Sequence, residues 1–171
     1  YLVLARLAPY KRIDLAVRAF TQLGRPLWVV GDGRDRSRLE ALAGPTVRFT
    51  GRLPQPEVDR LLGSCRALIW PGVEDFGLAP VEAMAAGRPV IARRAGGVLD
   101  TVLEGQTGLF FDDADPASLA QAVLAADALS WQPERIRAQA ARFGVEPFRR
   151  GLLAFLETLL DPAPKEEARR C

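Results

Sequence analysis

Short apolar runs alternate with stretches of helical period along most of the chain. "YLVLARL" (1–7) reads as a strand, and "KRIDLAVRAFTQL" (11–23) sets Ile13, Val17 and Phe20 on one face of a helix. "PLWVVGDG" (26–33) is a second strand ending in a Gly-rich turn, with a helix over about 34–43. "TVRFTG" (46–51) is a third strand, and a helix follows from Pro56 to about Cys65. "ALIWPG" (67–72) is the fourth strand and leads into a helix carrying Glu82. "PVIA" (89–92) and "TGLFFDD" (107–113) are the fifth and sixth, and three more helices are expected near 116–128, 133–143 and 146–160.

The strands lack clean polar alternation, as expected when both faces of a sheet are covered. Six such strands joined by helices predict an α/β fold: a Rossmann-like, doubly wound, parallel six-stranded sheet with helices on both faces. A chain of 171 residues, 49% hydrophobic and 26% charged, can bury a proper core. With no repeat and no interior linker, residues 1–160 read as one domain and "DPAPKEEARRC" (161–171) as a disordered tail. The abrupt opening on a strand suggests a piece of a longer protein. No apolar run reaches the length of a membrane span and no signal-peptide pattern opens the sequence, so a cytoplasmic location is expected.

Net charge is +2 with no dense basic run, which argues against nucleic acid as a partner. The charge is uneven: residues 1–60 hold 11 Lys/Arg against 6 Asp/Glu, where a small anion could use the excess. Histidine is absent, which excludes a Ser-His-Asp triad, a Cys-His pair and His-rich metal sites. Cys65 and Cys171 make no metal or disulfide spacing.

In a doubly wound sheet of order 3-2-1-4-5-6, ligands bind at the carboxyl ends of the strands, where strands 1 and 4 part. Arg6 and Lys11 follow strand 1, "GDG" (31–33) ends strand 2, and Glu74 to Glu82 follow strand 4. Arg and Lys suit phosphate oxygens, and Gly31 and Gly33 would let backbone N–H groups approach a ligand. The helix after Gly77 aims its N-terminus at the same crevice. Carboxylates do not bind phosphate, so Glu74 and Glu82 call for vicinal hydroxyls. Cations with a hydroxyl-binding acid describe a nucleoside diphosphate, and a second acid leaves room for a sugar.

Blander readings stand beside these. "GDGRDR" lacks the third glycine of a dinucleotide fingerprint and follows strand 2, so NAD is disfavoured, while "GDG" also fits a plain strand-to-helix turn. Glu74 and Asp75 also fit a solvated loop before a helix. "DDAD" (112–115) could hold a cation through its Asp-x-Asp pair, but Asp115 before Pro116 is better explained as an N-cap. Arg93 and Arg94 read either as phosphate contacts or as a charged loop and stay outside the core site.

"ARLAPYKRIDLAVRAF", "VVGDG", "EDFGLAPVEAMAAGRPVIA" and "GGVLDTVLEGQTGLFF" resemble, in order, the donor-binding half of glycosyltransferase family 4, the retaining enzymes of GT-B fold. The resemblance covers about residues 1–128 and includes two Glu separated by seven residues, Glu74 and Glu82. It implies that Arg6 and Lys11 hold the donor diphosphate and that Glu74 lies beside the transferred sugar. Glu82 would then grip the ribose, and Phe76, Gly77 and Leu78 would offer backbone N–H groups. Gly31 and Gly33 would line the nucleotide pocket, with Arg52 and Leu53 near the base. It also implies no cofactor and no bound metal, the donor being a GDP- or UDP-sugar. The motif forms look like GDP-mannose-using mannosyltransferases, with a UDP-sugar still open.

Asp100 stands where the family usually has Glu, which leaves that carboxylate's role open. The family's N-terminal, acceptor-binding domain is not in this sequence, so it is expected as a partner. Any membrane association would come through the full enzyme. In the GT-B fold a C-terminal helix crosses back to that domain, and "VEPFRRGLLAFLETLL" is the candidate. Two rivals remain. A nucleotide-sugar epimerase shares the superfold, though the absence of histidine and the spacing of the Glu pair argue against it. A non-catalytic nucleotide-binding module is the other.

Overall fold

The computed structural model describes residues 1–160. The expected tail, 161–171, lies outside the described residues. Six strands form one sheet: β1 (Leu2–Leu4), β2 (Leu27–Val30), β3 (Val47–Gly51), β4 (Leu68–Trp70), β5 (Val90–Arg93) and β6 (Gly108–Phe111). Their order is β3-β2-β1-β4-β5-β6, and every pair is parallel. All six strands therefore end at one edge, and the chain reverses its direction of travel between β1 and β4.

Consecutive strand residues point to opposite faces. Val3, Ile69 and Ile91 join one core cluster, while Leu2, Leu68, Trp70, Val90 and Ala92 join the other. The first face is covered by α1 (Ile13–Leu23), α2 (Arg36–Leu42) and α6 (Pro116–Asp127), through Ile13, Val17, Phe20, Leu39, Leu119 and Val123. The second is covered by α3 (Gln55–Ser64), α4 (Leu78–Ala85), α5 (Val98–Thr101) and α7 (Pro133–Ala141), through Leu61, Leu62, Met84, Val98 and Ile136. Two covered faces explain why β1 and β4 read as unbroken apolar runs, while the edge strand β3 carries an exposed Arg48.

Residues 1–141 form one compact unit, and a second begins at Arg142. The described part of the second unit contains α8 (Val145–Leu160), whose Phe148, Leu152, Phe155 and Leu159 recur at helical spacing. The short helix α5 was not expected, since four residues cannot display a period.

Asp115 caps α6 as expected: its Oδ1 accepts from the N–H groups of Ala117 (2.8 Å) and Ser118 (3.0 Å), with Pro116 at the first helical position. Asp115→Ala strands both donors and should lower stability by about 1 kcal/mol. Urea denaturation should show this as a shifted midpoint with an unchanged slope.

Candidate functional site

The turns after β1, β2, β3 and β4 share the carboxyl edge of the sheet, and glycines set how closely they pack. Gly31 has φ +127°, and a Cβ there would lie 3.0 Å from the Ala5 carbonyl carbon and nearer still to its oxygen. At Gly33 it would lie 2.8 Å from the Leu7 carbonyl carbon. The two turns are laced together by Leu7 N–H donating to Asp32 O (3.0 Å) and Asp35 N–H to Leu7 O (3.2 Å). Gly31 N–H donates to Gly51 O (2.8 Å), and Gly33 N–H to Asp32 Oδ1 (2.7 Å). These glycines thus serve backbone contact, and both N–H groups are already engaged within the chain.

The same device joins the other turns. A Cβ at Gly72 would stand 2.9 Å from Lys11 Cα, and one at Gly97 would stand 2.5 Å from Phe76 Cα. Gly97 N–H also donates to Glu74 O (2.8 Å). The Gly96-Gly97 turn after β5 therefore seats the loop that carries Glu74, Asp75 and Phe76. Nothing local in the sequence marks this glycine pair for that task.

Lys11 ends a 3-10 turn, Pro9–Lys11, closed by Arg12 N–H donating to Pro9 O (3.1 Å). Arg12 adopts the left-handed region (φ 50°) to close it, the one non-glycine residue to do so among the described residues. That turn aims Lys11 at the end of β4, where its Nζ forms an ion pair with Glu74 Oε1. Both side chains are largely enclosed, at 12% and 28% exposure. Glu74 Oε1 accepts no other bond among the described residues. Lys11 Nζ also lies 5.1 Å from the Trp70 ring centroid and 5.2 Å from that of Tyr10.

Arg6, Gly31 and Arg52 line one cavity of about 290 Å³ with Leu4, Ala5, Val30 and Asp32. The guanidinium groups of Arg6 and Arg52 are exposed, and neither has a partner among the described residues. Leu53 turns inward instead and packs on the core below α3. Of the cations in this third of the chain, Lys11, Arg12, Arg25, Arg36 and Arg38 are in ion pairs. Arg6 and Arg52 are among those without one, and both line this cavity.

Gly77, with φ +83°, is the N-cap residue of α4, and no side chain caps that end. It packs 3.6 Å from Trp70 if given a Cβ, so the start of α4 lies beside the residue that carries Lys11. Phe76 and Leu78 flank it and are exposed. Glu82 stands four residues into α4, about 6 Å along its axis from Leu78. It is exposed, lines a second cavity of about 310 Å³ with Gln55, Asp59 and Leu62, and has no side-chain partner among the described residues. Lys11 and Glu74 are therefore in contact. Arg6, Gly31 and Arg52 share one cavity, and Glu82 lines a separate one that has no residue in common with it.

Arg94 is committed elsewhere. It donates to Glu104 (2.7 and 2.9 Å) and to Asp112 (2.7 Å), and lies over the Phe110 ring at 4.8 Å. The Arg94 guanidinium holds the Glu104 carboxyl below the usual carboxylate range. With Asp112 so paired and Asp115 capping α6, the "DDAD" stretch has structural work to do.

Residues 1–126 match the family model described as glycosyl transferases group 1. A 2-deoxystreptamine glucosyltransferase of Streptomyces kanamyceticus is 40% identical over 69% of this chain and 33% of its own length. A GDP-mannose-dependent alpha-mannosyltransferase of Mycolicibacterium smegmatis is 39% identical over 63% of this chain and 28% of its own. In fold, the chain is similar to Anabaena HepE, solved with UDP-glucose, at TM-score 0.80 and 23% identity over 92% of this chain and 48% of that one. The chain spans about a third of the length of these curated relatives.

Proposed function

Because the chain belongs to the group 1 glycosyl transferases, we propose that it is the donor-binding half of a retaining enzyme that moves a sugar from a nucleoside diphosphate to an acceptor. Residues 1–160 are taken as the donor domain of a GT-B fold. The observation that carries this reading is the Lys11–Glu74 contact at the sheet's carboxyl edge, with unpartnered Arg6 and Arg52 lining one cavity and unpartnered Glu82 another. Cations and acids on these turns suit a ligand that is anionic at one part and hydroxylated at another.

In this assignment the diphosphate oxygens take Lys11 and Arg6, and the uncapped start of α4, from Phe76 to Leu78, adds N–H donors. Glu82 accepts from the ribose diol, and Arg52 meets the base with Gly31 lining its pocket. Gly33 and Leu53 support these walls from behind. When the bond between the anomeric carbon and the phosphate oxygen breaks, negative charge develops on the leaving diphosphate. Lys11 and Arg6 offset it. Glu74, released when phosphate replaces it as the partner of Lys11, is left beside the sugar. No step requires a metal or a cofactor.

The donor is GDP-mannose or a UDP-sugar, the first supported by the GDP-mannose-dependent relative. The acceptor side belongs to an N-terminal domain, and the chain by itself binds donor at micromolar to millimolar Kd without efficient transfer. No helix among the described residues is long and apolar enough to cross a membrane.

A thermal-shift panel of GDP-mannose, UDP-glucose, other nucleotide sugars and ATP tests this. The preferred donor at about a hundredfold its Kd should raise Tm by roughly 5–10 °C. A panel in which no nucleotide sugar moves Tm would sink the reading.

A further inference from the structure

Trp70 closes β4 beneath the site and is 5% exposed. Its indole Nε1 is buried and donates to nothing among the described residues. No partner among the described residues accounts for that N–H, whereas the ring face has one. Lys11 Nζ sits over that face at 5.1 Å, with the Tyr10 ring on another side at 5.2 Å and Glu74 supplying the counter-charge. Of the aromatic side chains, indole attracts a cation most strongly, and more so where water is excluded.

We propose that Trp70 is a positioning residue for the donor site, acting through Lys11 without touching the substrate; this rests on the nucleotide-sugar reading above. A lysine side chain has much rotamer freedom to lose on binding. The indole face and the Gly72 contact fix both ends of Lys11, ammonium and backbone. When diphosphate oxygens replace Glu74 as its counter-charge, the ring keeps the ammonium where it was. The phosphate then meets a charge that is already placed.

The test is a double-mutant cycle read by calorimetry with GDP and UDP, using whichever binds more tightly. Trp70→Leu should weaken binding about fivefold, and Trp70→Phe, which keeps a weaker face, about twofold. In a Lys11→Met background, Trp70→Leu should change Kd by less than about twofold, because the residue it acts through is gone. Equal losses in both backgrounds, or no loss in either, would overturn the positioning role. Should Trp70→Leu not fold, W28F/W131F leaves Trp70 as the sole tryptophan. Its emission should then shift on Lys11→Met and on adding nucleoside diphosphate, and an emission unmoved by both overturns the proposal. A Lys11→Met protein that binds nucleoside diphosphate as well as the parent would instead sink the donor-site assignment itself.

Discussion

Gly31→Ala is expected to destabilise the protein by about 4 kcal/mol, the sum of a left-handed backbone forced on alanine and a methyl pressed into the strand-1 turn. A Cβ at this position, where φ is +127°, would meet the Ala5 carbonyl carbon at 3.0 Å and its oxygen closer still. Relief requires parting the turns after β1 and β2, which breaks the Leu7–Asp32 and Asp35–Leu7 backbone bonds. With a urea slope of about 2 kcal/mol/M, the midpoint should fall by about 2 M. Gly63→Ala is the matched control. That glycine lies in α3 with open space around it, so alanine should stabilise by about 0.5–1 kcal/mol. A Gly31→Ala midpoint within error of the parent would show that the two turns are not packed as described.

Lys11→Ala should weaken nucleoside diphosphate binding about thirtyfold, the loss of one charge-assisted contact worth about 2 kcal/mol. Glu74→Gln should move the other way. Lys11 is paired to Glu74 in the ligand-free protein, so phosphate must compete with that carboxylate. Removing the competitor should tighten GDP or UDP about threefold. The nucleotide sugar should not share the gain, because Glu74 is assigned to the sugar. Calorimetry on both variants separates the cases: two variants weakened alike would mean that the pair acts as a structural unit and is not opened by ligand.

The sheet was legible because most of its strands announce themselves as short apolar runs bounded by turns. Strand order followed from the fold class and proved to be β3-β2-β1-β4-β5-β6. Sequence also brought Lys11 and Glu74 to one crevice across 63 positions, but it could not show them in contact. The contact depends on Arg12 turning left-handed and on Gly72 admitting the Lys11 backbone. "GDG" was read both for what it could offer a ligand and as a plain strand-to-helix turn. Its partners, Ala5 and Leu7, lie some 26 residues away, so the backbone fit that requires glycine there has no local signature. Trp70 looked like one more strand residue, since only the structure shows Lys11 on its face. The positive excess of the first third was visible, while the ion pairs that engage Arg12, Arg36 and Arg38 within it were not.

Central to the proposed function is one ligand, held by its phosphate at Lys11 and by its ribose at Glu82. Pyrophosphate and GDP or UDP, titrated into the Lys11→Ala and Glu82→Ala proteins, test it most directly. Lys11→Ala should weaken both ligands, whereas Glu82→Ala should weaken only the nucleotide, by about tenfold, because pyrophosphate has no hydroxyls for that carboxylate to grip. A Glu82→Ala protein that binds the nucleotide unchanged, or loses pyrophosphate to the same degree, would contradict it.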